Sequence, residues 1–188
     1  MKFKALGRVF VAALAFAVTL GIAPQAKATT VGTQLAMGID VSGSVDSTEF
    51  ALQLGGYAAA FNSAAVQSAI EATPGGIAAM LYQWSGNGQQ TVSVAWTHLT
   101  TAAEAAGFAT AISAVTRAYV GLTGIAQAIN FGAAQIASNG FDSSRKVIDI
   151  SGDGTENVNT LAQLNTARDN AVAAGITVNG LAIELVGL

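Results

Sequence analysis

Residues 38–46 read GIDVSGSVD, which sets an aspartate and two serines (Asp40, Ser42, Ser44) at alternate positions with a second aspartate, Asp46, close behind. Hard oxygen donors at this density admit a nucleophilic serine, a phosphate cradle, a helix cap or a cation site. A hydrolase elbow needs G-x-S-x-G and a histidine partner. Here Asp40 stands two places before Ser42, and the sole histidine, His98, closes a separate apolar stretch beside Trp96 and Leu99, the place of a surface or edge residue. A phosphate cradle would carry G-x-x-x-x-G-K-[ST], or G-x-G-x-x-G after a strand, and neither is present.

A second oxygen-rich run, ISGDGTEN, begins at Ile150. Asp149, Ser151, Asp153 and Gly154 match the opening of an EF-hand loop, but the closing position falls on Thr160, where a bidentate glutamate is required. What remains is a divalent cation held between the two runs, and hydroxyl and carboxylate donors suit Mg²⁺, Mn²⁺ or Ca²⁺. In a fully extended strand Asp40 and Ser44 would stand about 13 Å apart at Cα. Side chains that each end about 2.1 Å from one small ion cannot span that. The chain is therefore expected to bend here, with Gly43 supplying the freedom, and other strand ends must add donors.

Those loops need elements to place them. Gln34–Val41 reads as a buried strand delivering the first run at its carboxyl end. Asp46 with Glu49 marks a helix start, and the apolar spacing of Phe50, Leu54, Tyr57 and Phe61 predicts a helix running on to residue 70. Residues 77–84 and 91–99 read as strands of a hairpin, 101–116 and 125–137 as helices, 147–151 as a strand, 161–174 as a helix and 176–186 as a final strand. This alternation predicts an α/β domain: a doubly wound, mostly parallel sheet with one antiparallel edge strand and helices on both faces. Sites in such sheets lie outside the carboxyl ends of the strands, where both oxygen-rich runs fall.

Asp40-Val41-Ser42-Gly43-Ser44 resembles the D-x-S-x-S signature of von Willebrand factor type A domains with a metal-ion-dependent adhesion site. Gly121-Leu122-Thr123-Gly124 resembles the threonine loop of that family, and Ser151-Gly152-Asp153-Gly154 its aspartate turn, in the same order along the chain. The wording VSGSVD, YQWSGNGQQ, GLTGIAQAI, VIDISGDGTEN and AGITVNGLAI further resembles a family of exported bacterial proteins of this fold whose function is uncharacterised. The resemblance implies a metal set of Asp40, Ser42, Ser44, Thr123 and Asp153. Ser42 and Ser44 would ligate directly, Thr123 directly or through water, and the two aspartates directly or through waters, with one position left for a partner's carboxylate. Each residue also has a plainer role open to it: turn serines, a threonine N-cap, a turn aspartate. Asp46 is expected to cap a helix, Asp149 to point inward or support the shell, and Glu156 and Asn157 to form a solvated rim. Trp84 and Trp96 are expected in the core or at an edge.

Composition bounds the rest. Lys2, Lys4 and Arg8, an apolar run from Val9 to Ile22 and Ala26-Lys27-Ala28 read as a secretory signal peptide over residues 1–28, followed by one domain over 29–188. The apolar run is shorter than the roughly 20 residues of a spanning helix. Removing those residues takes away four of the eight basic side chains and none of the eleven acidic ones, leaving a net charge of −7. So acidic a chain suits cations and is a poor fit to nucleic acid or an anionic membrane surface. The expectation is a periplasmic or secreted module that binds a divalent cation, foremost Mg²⁺, and through it a protein or peptide carboxylate, rather than an enzyme. The alternatives are a metal-assisted hydrolase using the same ion, which lacks an evident general base because His98 falls on a different strand end and leaves only Glu156 to consider, and a degenerate structural copy of the fold. Domains of the resembled fold continue past the fifth sheet strand, so ELVGL leaves either a truncated chain or an exposed edge strand.

Overall fold

A computed structural model of the protein describes residues 27–183. The signal-peptide reading, up to residue 26, and the tail from residue 184 lie outside the described residues. The strands are β1 (Thr29–Thr30), β2 (Thr33–Asp40), β3 (Ile77–Trp84), β4 (Gln90–Leu99), β5 (Phe141–Asp142), β6 (Lys146–Gly152) and β7 (Ile176–Ala182). The helices are α1 (Ser47–Asn62), α2 (Ala64–Ala72), α3 (Ala102–Ser113), α4 (Ile125–Ala137) and α5 (Leu161–Ala173). A five-stranded sheet runs in the order β4-β3-β2-β6-β7, parallel throughout except for the antiparallel edge pair β3–β4. The doubly wound α/β expectation is met.

Side-chain alternation along the strands divides the core into two layers. Met37 and Ile39 of β2, with Ala79 and Leu81 of β3, pack against Leu54 and Phe61 of α1, Ile70 of α2, and Phe108 and Ile112 of α3. Ala36, Met80, Tyr82 and Trp84 point the other way, toward Ala128 and Ile129 of α4 and Ala167 and Ala171 of α5. Each large side chain so buried contributes about 1.5–3 kcal/mol. Gly38 makes room for the fully buried Tyr82, whose ring lies 2.6 Å from where a Cβ on residue 38 would stand. The Tyr82 hydroxyl donates to Ala128 O at 2.8 Å, tying β3 to α4.

Several boundaries differ from the periodicity. The helix expected from Phe50 to residue 70 is two helices, because Ser63 is extended (φ −75°, ψ 138°). Its hydroxyl donates to Ala60 O and accepts from the Val66 N–H, closing one helix and opening the next. α3 stops at Ser113 rather than 116, because Gln83 on β3 takes the next segment: it accepts from the Ala118 N–H and donates to Thr116 O. The pair β1–β5 went unread, since two residues per strand carry no period. β7 runs over Ile176–Ala182 and forms one edge of the sheet among the described residues, the end of the expected strand, residues 184–186, lying outside them.

The order of strands makes β2 the switch point. The chain builds outward from β2 through β3 to β4 on one side and then crosses by α3 and α4 to β6 on the other, so the strand order reverses beside β2 and a crevice opens beyond its carboxyl end. Asp40 is the last residue of β2, opposite Trp84, and β6 ends beside it at Gly152.

Candidate metal centre

Asp40 enters the crevice held from behind. Gln53, on the buried face of α1, accepts from the Asp40 N–H (3.0 Å) and donates to its carbonyl (2.9 Å), while the Ser151 hydroxyl donates to Gln53 Oε1 (2.8 Å). Asp40 Oδ1 accepts the Ser42 N–H at 2.7 Å. Oδ2 is buried and has no hydrogen-bond partner among the described residues. Burial pushes the Asp40 carboxyl up to about 6 from 3.8, with the Asp153 charge adding to the rise and the Ser42 hydrogen bonds and Arg117 opposing it.

The chain does turn after Asp40, as the reach argument required. The Gly43 N–H donates to Gly121 O (2.7 Å), and the Val45 N–H returns to Ser42 O (3.2 Å). Gly43 itself adopts no left-handed conformation, so its expected conformational freedom is not what bends the chain. The turn is held by the Gly43–Gly121 bond, by its own Val45–Ser42 bond and by Arg117 on the carbonyls of Val41, Ser42 and Val45. Ser42 Oγ and Ser44 Oγ come to 3.1 Å, and Ser44 Oγ donates to Asp153 Oδ1 at 2.8 Å, across 109 residues of sequence. Ser42 is buried and Ser44 exposed, so the hydroxyl pair leads from the interior to the surface.

Thr123 approaches from the loop before α4 and is buried. Its N–H donates to Asn157 Oδ1 (2.8 Å) and its carbonyl accepts the Asn157 N–H (2.9 Å). Thr123 Oγ1 and Ser44 Oγ lie 3.4 and 3.8 Å from the position a Cβ on Gly154 would occupy, so both hydroxyls border the space that this glycine leaves open. Gly152 is tighter still: a Cβ there would stand 2.8 Å from Asp40 Oδ2. Asp40, Ser42, Ser44, Thr123 and Asp153 thus gather from three loops at one end of the sheet.

Neighbouring residues sort differently. Asp46 caps α1 in a capping box with Glu49, as expected. Glu156 is no free rim residue: Oε2 accepts the Ala126 N–H at the start of α4, and Oε1 accepts those of Val158 and Asn159. Asn157 is exposed and braces the threonine loop. Asp149 does not support the site, since its carboxylate takes Asn179 Nδ2 at 2.7 Å on β7. His98 pairs with Ala78 at the opposite end of β3 from Trp84 and bonds Gly75 O. Trp84 is core, and Trp96 packs at the edge against Phe141. Gln53 and Arg117, which hold the loops, were not singled out from the sequence, and Asn157 was expected only as part of a solvated rim.

The donors fit a hard cation. A buried carboxylate oxygen without a partner is costly unless a proton or cation compensates it, and Asp40 Oδ2 is such an atom. Among the described residues no three His, Cys, Asp or Glu side chains form a metal cluster, so the set is two carboxylates with three neutral hydroxyls.

The family described as "Protein of unknown function (DUF1194)" matches residues 30–187. The chain belongs to that family. No curated protein matches it in sequence. Among solved structures, proximal thread matrix protein 1 from the mussel byssus aligns at TM-score 0.64 and 15% identity, covering 82% of this chain and 39% of that one. A von Willebrand factor type A structure from Catenulispora acidiphila aligns at 0.55 and 16%, covering 80% and 33%. Manganese-loaded TRAP protein from Plasmodium vivax aligns at 0.57 and 11%, covering 82% and 58%. The member of DUF1194 described here thus has the von Willebrand factor A fold and spans about two fifths of the mussel protein's length. One structure of the mussel protein has a zinc-occupied MIDAS motif.

Proposed function

We propose that this chain is an exported binding module in which Asp40, Ser42, Ser44, Thr123 and Asp153 hold a divalent cation, foremost Mg²⁺, with a carboxylate of a protein or peptide partner completing the shell. The observation that carries this reading is the unpartnered, buried Oδ2 of Asp40 beside the hydrogen-bonded run Ser42–Ser44–Asp153. Ser42 and Ser44 present neutral oxygens on one turn, Thr123 adds a third beside Ser44 at Gly154, and Asp40 and Asp153 supply the negative charge. When bound, such a cation supplies a Lewis-acidic centre that attracts an anionic group from solvent. The metal-loaded von Willebrand-type neighbours support a cation at this place. The basic start of the chain, its apolar run and its small-x-small site support export. Among the described residues no helix is long and apolar enough to cross a membrane.

Metal-assisted hydrolysis has less behind it. Its two candidate bases are engaged elsewhere, Glu156 on backbone N–H groups at α4 and His98 at the far end of the sheet. Thermal melting with and without Mg²⁺ tests the reading: saturating Mg²⁺ is expected to raise Tm in the wild type and leave Asp153→Ala unmoved. Equal melting with and without metal in the wild type would leave a degenerate copy of the fold, and turnover of phosphoester or ester probes would favour the hydrolase.

A further inference from the structure

Between Lys27 and Arg145 the chain has no lysine and a single arginine, Arg117. It lies on the irregular segment between α3 and α4, with no carboxylate in ion-pair contact among the described residues. Its guanidinium is spent on backbone carbonyls: Nη1 donates to Val45 O (2.8 Å), Nη2 to Val41 O (3.1 Å) and Ser42 O (2.6 Å), and Nε to Tyr119 O (3.0 Å). The carbonyls of residues 41, 42 and 45 bracket the turn that carries Ser42 and Ser44. A planar fork with its donors fixed in direction imposes one arrangement on those carbonyls, which a lysine ammonium cannot reproduce. Arg117 is itself anchored, because Gln83 accepts the Ala118 N–H and donates to Thr116 O. Four residues on, Gly121 O receives the Gly43 N–H from the same turn.

We infer that Arg117 is the positioning residue that pre-forms the hydroxyl half of the cation site, by templating the Val41–Val45 turn through its backbone. A second consequence is electrostatic. Asp40 and Asp153 formally cancel a divalent charge, and Arg117, bonded behind the turn, restores a positive balance that favours an anionic partner. Its separation of 72 to 76 residues from the turn makes it a long-range tie between the threonine loop and the serine loop.

The affinity arm of the test rests on the cation site proposed above, and the exchange arm stands without it. Amide hydrogen exchange on the metal-free chain reads the turn, and Mn²⁺ titration followed by electron paramagnetic resonance reads the site. In Arg117→Lys and Arg117→Ala, the Gly43 and Val45 amides are expected to exchange at least tenfold faster while the α5 amides keep their protection. Mn²⁺ affinity is expected to fall at least tenfold in Arg117→Ala, less in Arg117→Lys, and to recover in part with added methylguanidinium. Wild-type exchange at Gly43 and Val45 in a folded Arg117→Lys variant would overturn the inference, as would acceleration shared equally by α5. If the wild type itself takes no Mn²⁺, the functional reading fails while the exchange arm still decides the role of Arg117.

Discussion

Replacing Asp40 by asparagine should strengthen the metal-free protein and abolish its response to metal. The rise of its carboxyl from 3.8 to about 6 means the ionised form is disfavoured by about 3 kcal/mol near pH 7, at about 1.4 kcal/mol per tenfold change in protonation. In Asp40→Asn the side-chain oxygen still accepts the Ser42 N–H. The new amide N–H₂ takes the place of an oxygen that has no partner, and an unsatisfied buried amide returns about 1–2 kcal/mol of cost. The net is a gain of about 1–2 kcal/mol, which for a domain of this size raises Tm by about 3–6 °C. With Mg²⁺ at a hundred times its dissociation constant, the wild type gains about 2.7 kcal/mol and the variant nothing, so the order of stabilities inverts. Calorimetric melts of both proteins near pH 7, in EDTA and in Mg²⁺, measure all four values. A variant less stable than the wild type in EDTA, or one that still responds to Mg²⁺, would refute the reasoning.

The same carboxyl sets a pH dependence. Because its folded value is raised, the native state holds more protons than the unfolded chain between about pH 4 and 6, so metal-free stability falls as pH rises through that window. Denaturant titrations of wild type minus Asp40→Asn should show a loss of about 3 kcal/mol across it, and a flat difference would contradict the assignment. Gly152→Ala drives a Cβ to 2.8 Å from Asp40 Oδ2; Mg²⁺ affinity by calorimetry should fall tenfold or more, and wild-type affinity would show that the carboxylate can yield. Gly38→Ala meets the immobile Tyr82 ring at 2.6 Å and should cost about 1–3 kcal/mol in urea unfolding, away from the metal loops; a neutral outcome would mean that β3 shifts freely.

The parts legible in the sequence were those encoded locally. D-x-S-x-S, the Gly121–Gly124 loop and the Ser151–Gly154 turn each occupy a few consecutive residues at the mouth of a strand, and strand periodicity was enough to bring them to one end of a sheet. The supports were hidden because they bond the backbone of distant segments. Gln53 reaches Asp40 from a helix, and Arg117 reaches the serine turn from 72 to 76 residues away. Both left a trace: Gln53 is a polar residue on the apolar face shared by Phe50, Leu54 and Tyr57, and Arg117 is an isolated cation in a long neutral stretch. Glu156 was misread for the converse reason, since an acidic residue near a site looks available until its partners at α4 are seen; of the two roles open to Asp149, support of the site is the one that its bond to Asn179 takes away. The helix break at Ser63 was invisible to periodicity because the apolar spacing continues through it.

The most direct measurement is an anomalous difference map from crystals grown with Mn²⁺. A single peak in bonding range of Ser42 Oγ and Ser44 Oγ, on the side facing Thr123 and Asp153, is the predicted result. No peak there, with these five side chains in place, would contradict the account.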